Sequence, residues 1–181
     1  NPWEDINIDG GELSIIGSGT VEGTSNHSTI YINSGILNLT DATIRNTGGT
    51  NFTIRNGGFS GNGPGVFNMY SGTIENVTGL TPLYAAGTVS NIYSGTLIGP
   101  ARTTLYTKFN LFPEAGKTIV FRPNQNYTGS GLFGTGIING KGTVIIESIS
   151  GVSRYFGISN GEPTSNTRLR FIDGTLIVDN S

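Results

Sequence analysis

Apolar and polar residues alternate along most of this chain with a period of two, and each alternating run ends at glycine, asparagine, aspartate or proline. The runs "ELSII", "STIYIN", "ILNLTDATIRN", "NFTIRN", "VFNMYSGTIENV", "TVSNIYSGTLIG", "KTIVFRP", "GTVIIESI" and "LRFIDGTLIVDN" are rich in β-branched residues, which suit a pleated, half-buried surface. The spacing of three and four that marks an amphipathic helix is never sustained without a glycine or proline intervening. An all-β fold is predicted.

The runs share a phrase. "FNMYSGTIENV" at 67–77 is followed by "SNIYSGTLIGP" at 90–100, so that Asn-x-Tyr-Ser-Gly-Thr recurs 23 positions on. In the general form apolar-x-[Ser/Asn/Asp]-Gly-x-apolar it occurs at 32–37, 54–59, 69–74 and 92–97, one residue shorter at 172–176, and more loosely around Gly19 and Gly142. A short phrase repeated at such distances points to a solenoid rather than to the hairpins of a sandwich. From Gly35 the next corner glycines, Gly57, Gly72 and Gly95, follow at intervals of 22, 15 and 23, of which those near 22 fit one coil of a three-sided parallel β-helix. The 15 demands either a shorter coil or a different alignment.

Each phrase is read as a corner whose glycine takes a backbone angle closed to residues bearing a Cβ. Alternation then sends Phe67, Met69, Ile74 and Val77 inward, with Ile92 and Leu97 on matching positions of the next coil. Tyr70, Thr73 and Glu75 point outward under Tyr93, Thr96 and Ile98. The expected architecture is one domain over 1–181, a single-stranded parallel β-helix, with loop excursions at 100–133 and 148–168 that hold four of the seven prolines. Long loops on a rigid scaffold are candidates for function.

Composition narrows the chemistry. Of 181 residues 12% are charged and the net charge is -2, so there is no basic field for a nucleic acid. With no cysteine there is neither a disulfide nor a thiolate metal site, and the single histidine, His27 in the polar "EGTSNHST", reads as a loop residue; no cofactor or metal is expected. No run of about 18 apolar residues predicts a membrane span. The start "NPWEDINIDGG" is not signal-like and "FIDGTLIVDNS" ends as a strand, which suggests a piece of a longer polypeptide with its targeting signals elsewhere.

The stretch "GTGIINGKGT" at 134–143 lacks the spacing of a phosphate-binding loop and reads as a turn between strands. A glycosidase needs two carboxylates across a cleft, about 5 to 10 Å apart. Only Glu4, Asp5 and Asp9 are close in sequence, while Asp41, Glu75, Glu147 and Asp173 look like isolated outer positions. Thr20, Thr73, Thr96, Thr143 and Thr175 each follow a corner glycine and could form one outward file, but β-propensity beside a turn is the favoured explanation. Aromatic residues are the more suggestive class. Tyr70 and Tyr93 are expected on one face, and Tyr106, Phe109, Phe112 and Tyr127 crowd the first irregular stretch with Phe121 and Phe133. Rings beside Asn, Thr and Ser suit a sugar, and these six residues, Tyr70, Tyr93, Tyr106, Phe109, Phe112 and Tyr127, are the candidate binding set. The simpler reading of the phenylalanines is that they plug a loop onto the coil. One ring burying about 100 Å² contributes at most about 2.5 kcal/mol, whereas micromolar affinity needs about 8 kcal/mol, so a row of rings and an elongated polymer are required.

The phrases "NMYSGTIENV" and "NIYSGTLIG" resemble the coils of right-handed parallel β-helix proteins of bacterial surfaces, over roughly 6–99 and 134–180. Within that group the cysteine-free coil and aromatic-rich loops look like the tāpirins, which attach to cellulose. That resemblance implies a right-handed coil, an extracellular or cell-surface location in a bacterium, and a non-catalytic domain that grips a plant polysaccharide such as cellulose. It transfers no residue position by position. Two other readings stay open: a polysaccharide lyase or glycoside hydrolase of the same fold, and a stalk or phage-type fibre segment whose outward tyrosines meet neighbouring chains.

Overall fold

The computed structural model describes residues 4–49, 51–57, 65–77, 82–85, 89–99, 108–124, 135–147, 158–159 and 169–179. Among these the chain is all-β, with no helix, and its strands form one sheet. The main path of that sheet has 12 strands and curls through 206° as an open half-barrel. Every pairing is parallel, and the partners fall into three files.

The first file takes the N-terminal halves of β1 (Glu4–Ile16) and β3 (Ser28–Thr40), then β5 (Ile54–Asn56) and β8 (Leu83–Ala85). The second takes the C-terminal halves of β1 and β3, then β6 (Val66–Met69), β9 (Val89–Ile92), β11 (Lys108–Leu111) and the N-terminal halves of β13 (Thr135–Glu147) and β15 (Leu169–Asp179). The third is β2 (Thr20–Gly23), β4 (Thr43–Asn46), β7 (Thr73–Asn76), β10 (Gly95–Gly99), β12 (Thr118–Pro123) and the remaining halves of β13 and β15. The short β14 (Ile158–Ser159) pairs with β15. Successive strands of a file are rungs of a parallel, solenoid-like stack, compatible with a β-helix.

Alternation builds the core. Leu39, Met69, Ile92, Leu111 and Ile138 follow one another up the second file, and Ile44, Ile74, Leu97, Phe121 and Ile146 up the third, all buried. Each such side chain contributes about 1.5–3 kcal/mol by leaving water. Val77 departs from the pattern: it is half-buried, and Asn76 is the buried residue. Strand β7 of the third file ends at Asn76, where the chain must turn. Its Nδ2 donates to Asn51 O (2.7 Å), as Asn46 Nδ2 does to His27 O (2.7 Å), so interior amides satisfy turn carbonyls that no strand partner reaches.

The corner glycines take the left-handed angles predicted, with φ of 96° at Gly35, 87° at Gly57, 98° at Gly72, 113° at Gly95 and 106° at Gly174. They form two columns, however. Gly35 and Gly57 lie where the chain leaves the first file; Gly72, Gly95 and Gly174 lie between the second and third. The interval of 15 from Gly57 to Gly72 therefore crosses one face instead of one coil.

Part of the stretch 100–133 belongs to the sheet, because β11 and β12 pair in register with their neighbours on both sides. Of 148–168 only β14 is described. The threonines form two files: Thr20, Thr43, Thr73 and Thr96 in one, and Thr118, Thr143 and Thr175 in the other, with the first continued by Val120 and Ile145.

Candidate functional site

The site is built at the corner between the second and third files. The buried Met69, Ile92 and Leu111 end three successive rungs of the second file, and the next residue of each rung turns outward: Tyr70, Tyr93 and Phe112. Their amides continue the ladder, Tyr70 N donating to Leu39 O (2.9 Å), Tyr93 N to Met69 O (2.8 Å) and Phe112 N to Ile92 O (2.8 Å). Register therefore sets the spacing of the rings, close to the roughly 4.8 Å between neighbouring strands. The centroids of Tyr70 and Tyr93 are 5.1 Å apart with planes 8° from parallel; those of Tyr93 and Phe112 are 6.0 Å apart and tilted by 42°.

After the rings the chain bends sharply. At Gly72 and Gly95 any Cβ would run into backbone of the preceding rung, at Ala42 O and Gly72 O respectively, besides being strained by the positive φ. Asp41, one rung below Ser71, is the only non-glycine described residue with positive φ, 62°. Its backbone N–H donates to Ser71 Oγ (3.0 Å), and that hydroxyl donates to Asp41 Oδ1 (2.6 Å). Ser94 Oγ donates to Thr118 O (3.2 Å). The corner is thus pinned on both sides of the column.

In the next rung the corner is longer. Residues 112–117, "FPEAGK", form a turn closed by Lys117 N donating to Glu114 O (2.9 Å), and they stand beside the rings. They shape two surface recesses. One, of ≈ 330 Å³, is bounded by Tyr70, Tyr93, Ser94, Glu114 and Lys117; the other, of ≈ 350 Å³, lies on the far side of the turn with Tyr93, Phe112, Asn139 and Lys141 among its walls. Glu114 borders both. Glu114, Lys117 and Lys141 are exposed and supply a charged rim to an otherwise aromatic recess.

Tyr70, Tyr93 and Phe112 of the candidate set are therefore brought together. Tyr70 is 47% exposed, and Tyr93 and Phe112 are half-buried. Phe109 lies in β11 opposite Gly136. Tyr106 and Tyr127 lie outside the described residues. Because the rings stack on one another, they cover much of each other's faces and present edges and phenolic hydroxyls along the column. Tyr70, at the end of the stack, is the most exposed of the three rings. Phe121 is a core residue, and Tyr31, Phe52 and Tyr84 are buried near the first file, with Phe52 stacked on Tyr84 at 4.6 Å.

Beside the rings runs a column that the sequence reading overlooked. Two residues before each ring, and on the same side of the strand, stand Asn68, Asn91 and Asn110, with Asn38 in the rung below. Asn110 Nδ2 donates to Asn91 Oδ1 (3.0 Å), Asn91 Nδ2 to Asn68 Oδ1 (2.9 Å), Asn68 Nδ2 to Asn38 Oδ1 (2.9 Å) and Asn38 Nδ2 to Glu12 Oε1 (2.6 Å). The signal was present in the repeated Asn-x-Tyr.

The carboxylates are distributed among separate partners. Glu4 Oε1 is 3.4 Å from Arg55 Nη1, Asp5 Oδ1 accepts from Ser25 Oγ (2.7 Å), and Asp9 accepts from Asn7 (2.8 Å) and Asn33 (3.0 Å). Glu75 pairs with Arg45 (3.0 Å) and Glu147 with Arg122 (2.6 Å), so these are ion-paired instead of isolated. Among the described residues no group of three or more His, Cys, Asp and Glu side chains is placed to hold a metal ion. His27 is half-buried and contributes its backbone carbonyl to Asn46. Comparison with protein-family models, curated proteins and solved structures finds no match to this chain.

Proposed function

We propose that this chain is a non-catalytic binding domain of a bacterial surface, a right-handed parallel β-helix that holds an extended polysaccharide, such as a plant cell-wall glycan, along the Tyr70–Tyr93–Phe112 column. The observation that carries the reading is the spacing of that column. Its ring-to-ring distance of 5.1 Å is close to the rise of one sugar in an extended β-linked glycan, so a chain lying along the stack meets one aromatic edge per residue. Apolar C–H groups of the sugar sit against the ring edges and the exposed ring of Tyr70, and hydroxyls reach the tyrosine oxygens, Glu114 and Lys117. Since each ring is partly covered by its neighbour, a single contact falls below the roughly 2.5 kcal/mol of a fully usable face. Affinity must then come from several rungs acting together, which favours a polymer over a monosaccharide.

The test is depletion of the protein from solution by microcrystalline cellulose, xylan and mannan in parallel, with Tyr70→Ala/Tyr93→Ala as the control for the site. The expected result is retention of the wild type by at least one of them and a loss of about tenfold or more in the double variant that remains folded. A wild type that binds none of these polymers defeats the proposal, as does release of reducing or unsaturated ends during the incubation. A second reading, a fibre segment that packs on further chains, is favoured by the exposed Ile172 (48%) and Ile177 (45%) of β15. It predicts a mass in solution that rises with concentration.

A further inference from the structure

We propose that the asparagine ladder is a second binding strip of the same surface, one that hydrogen-bonds the hydroxyls of an uncharged glycan lying along the stack. The inference rests on the glycan-binding reading above and adds to it where the polymer sits and which polymers are refused.

In the ladder, Asn68 and Asn91 each give one N–H to the rung below and accept one hydrogen bond from the rung above. A primary amide has two N–H donors and two acceptor lone pairs, so one of each is left over per rung. Both side chains are half-buried on the outer side of the second file, on the face opposite the core residues Phe67, Met69 and Ile92. Their repeat is the rung spacing, about 4.8 Å, and the strip runs two residues, about 6.6 Å, from the aromatic column. Register thus holds a row of amides and a row of rings parallel at about the width of a sugar ring.

The third column of this face is aliphatic: Ile36, Val66 and Val89 stand two residues before Asn38, Asn68 and Asn91, and Val89 is 45% exposed. From Ile36 to Phe112 none of the described side chains on this outer face is charged. A row of amides between an aliphatic and an aromatic row suits a molecule with apolar C–H faces and hydroxyl edges. It suits a polymer bearing a carboxylate on each unit less well, because among the described side chains the nearest cations, Lys117 and Lys141, stand on the rim beside Glu114 and none stands within the amide row to offset the desolvation of that charge. The same ladder also stabilises the sheet, so its role in binding must be read apart from folding.

The experiment measures binding of cellohexaose and of hexagalacturonate to the wild type, to Asn68→Val/Asn91→Val and to Tyr70→Ala/Tyr93→Ala, with circular dichroism to verify the fold. Valine keeps β-propensity and removes the amides. Loss of two hydrogen bonds predicts about tenfold weaker cellohexaose binding in the valine variant, and the wild type is expected to bind hexagalacturonate at least tenfold more weakly than cellohexaose. Should the valine variant not fold, the side-chain amide resonances of Asn68 and Asn91 in the wild type are followed during titration with cellohexaose. They shift on saturation if the inference holds and stay in place if it fails. Undiminished binding by a folded valine variant, alongside loss in the tyrosine variant, overturns the inference and leaves the glycan-binding reading intact. Preference for hexagalacturonate overturns the inference as well, and a wild type that binds neither sugar overturns it too, the glycan-binding reading then standing or falling on cellulose, xylan and mannan.

Discussion

Tyr93 is the middle member of its column, in contact with Tyr70 at 5.1 Å and Phe112 at 6.0 Å, whereas Tyr70 has one ring neighbour in the column. An aromatic pair contributes about 0.5–1.5 kcal/mol beyond the area it buries, so Tyr93→Ala is expected to cost about 1–3 kcal/mol and Tyr70→Ala about half as much, as read from urea denaturation midpoints. If binding ranks the two in the reverse order, with Tyr70→Ala the more damaging, the exposed ring of Tyr70 is the contact and Tyr93 its support. Glycine gives a second contrast at this scale. Gly95 combines a φ of 113° with a space already filled by Met69 Cε and Gly72 O, while Gly116, with a φ of 78°, faces open space. Gly116→Ala should cost about 1–2 kcal/mol from conformation alone, and Gly95→Ala more than that because the preceding rung must also move; thermal unfolding of the two variants distinguishes them. The need for glycine at Gly95 was legible in the repeated phrase, whereas Gly116 lies in the enlarged corner where the phrase is absent. Which of two corners each glycine of the phrase served was not legible, since the same few residues make a sharp bend between any two faces and the length of the intervening strand is unwritten.

At the scale of elements, alternation told which side of β6, β7, β9 and β10 faced inward, and Phe67, Met69, Ile74, Ile92 and Leu97 are all buried. It failed at Asn76, where the strand ends and a buried amide is needed to satisfy a turn carbonyl, a demand of the neighbouring rung that hydropathy does not carry. The asparagine ladder was hidden for a related reason: Asn68 and Asn91 are polar residues at outward positions, and only the parallel register aligns them with Asn38 and Asn110. The first file offers an electrostatic prediction. The Glu4 side chain is 1% exposed and joins β1 to Arg55 of β5. Burial pushes its carboxyl above the ordinary value of 4.5, against the attraction of Arg55. A carboxyl whose folded value is raised binds its proton more tightly in the fold than in the unfolded chain. Its contribution to stability is therefore complete below 4.5 and is lost as pH rises through the raised value. The expected outcome is that Glu4→Gln matches the wild type most closely at low pH and gains on it as pH rises through that window. Urea midpoints of the two proteins measured across the range check it; a difference that does not change with pH would show that the fold leaves the proton equilibrium of Glu4 unshifted.

For the molecule as a whole, the repeated phrase announced a stack of rungs, and the parallel sheet has that character. The irregular composition of 100–133 concealed β11 and set β12, whose "KTIVFRP" shows the alternation of a strand, within a loop excursion, because prolines and an enlarged corner interrupt the phrase there; β11 and β12 carry their inward residues, Leu111, Ile119 and Phe121, without a corner glycine in the usual place. A stack in which each rung touches mainly the ones beside it has a stability close to a sum of nearest-neighbour terms, so the same chemical change should matter differently by position. Leu97 is fully buried between Ile74 of β7 and Phe121 of β12. Leu176, in the third file of β15, is half-buried and pairs in register with Val144. Truncating a fully buried leucine costs about 2–5 kcal/mol, so Leu97→Ala is expected in that range and Leu176→Ala well below it. Hydrogen exchange reads the same difference locally. Leu97→Ala should quicken exchange in β7, β10 and β12 together, because the broken layer is shared, while Leu176→Ala should quicken β15 and leave β4 and β7 as protected as before. If both variants instead lower protection uniformly from β2 to β15, the rungs unfold as one unit, and binding spread over several rungs would then stabilise the entire stack at once and not only the layers that a ligand touches.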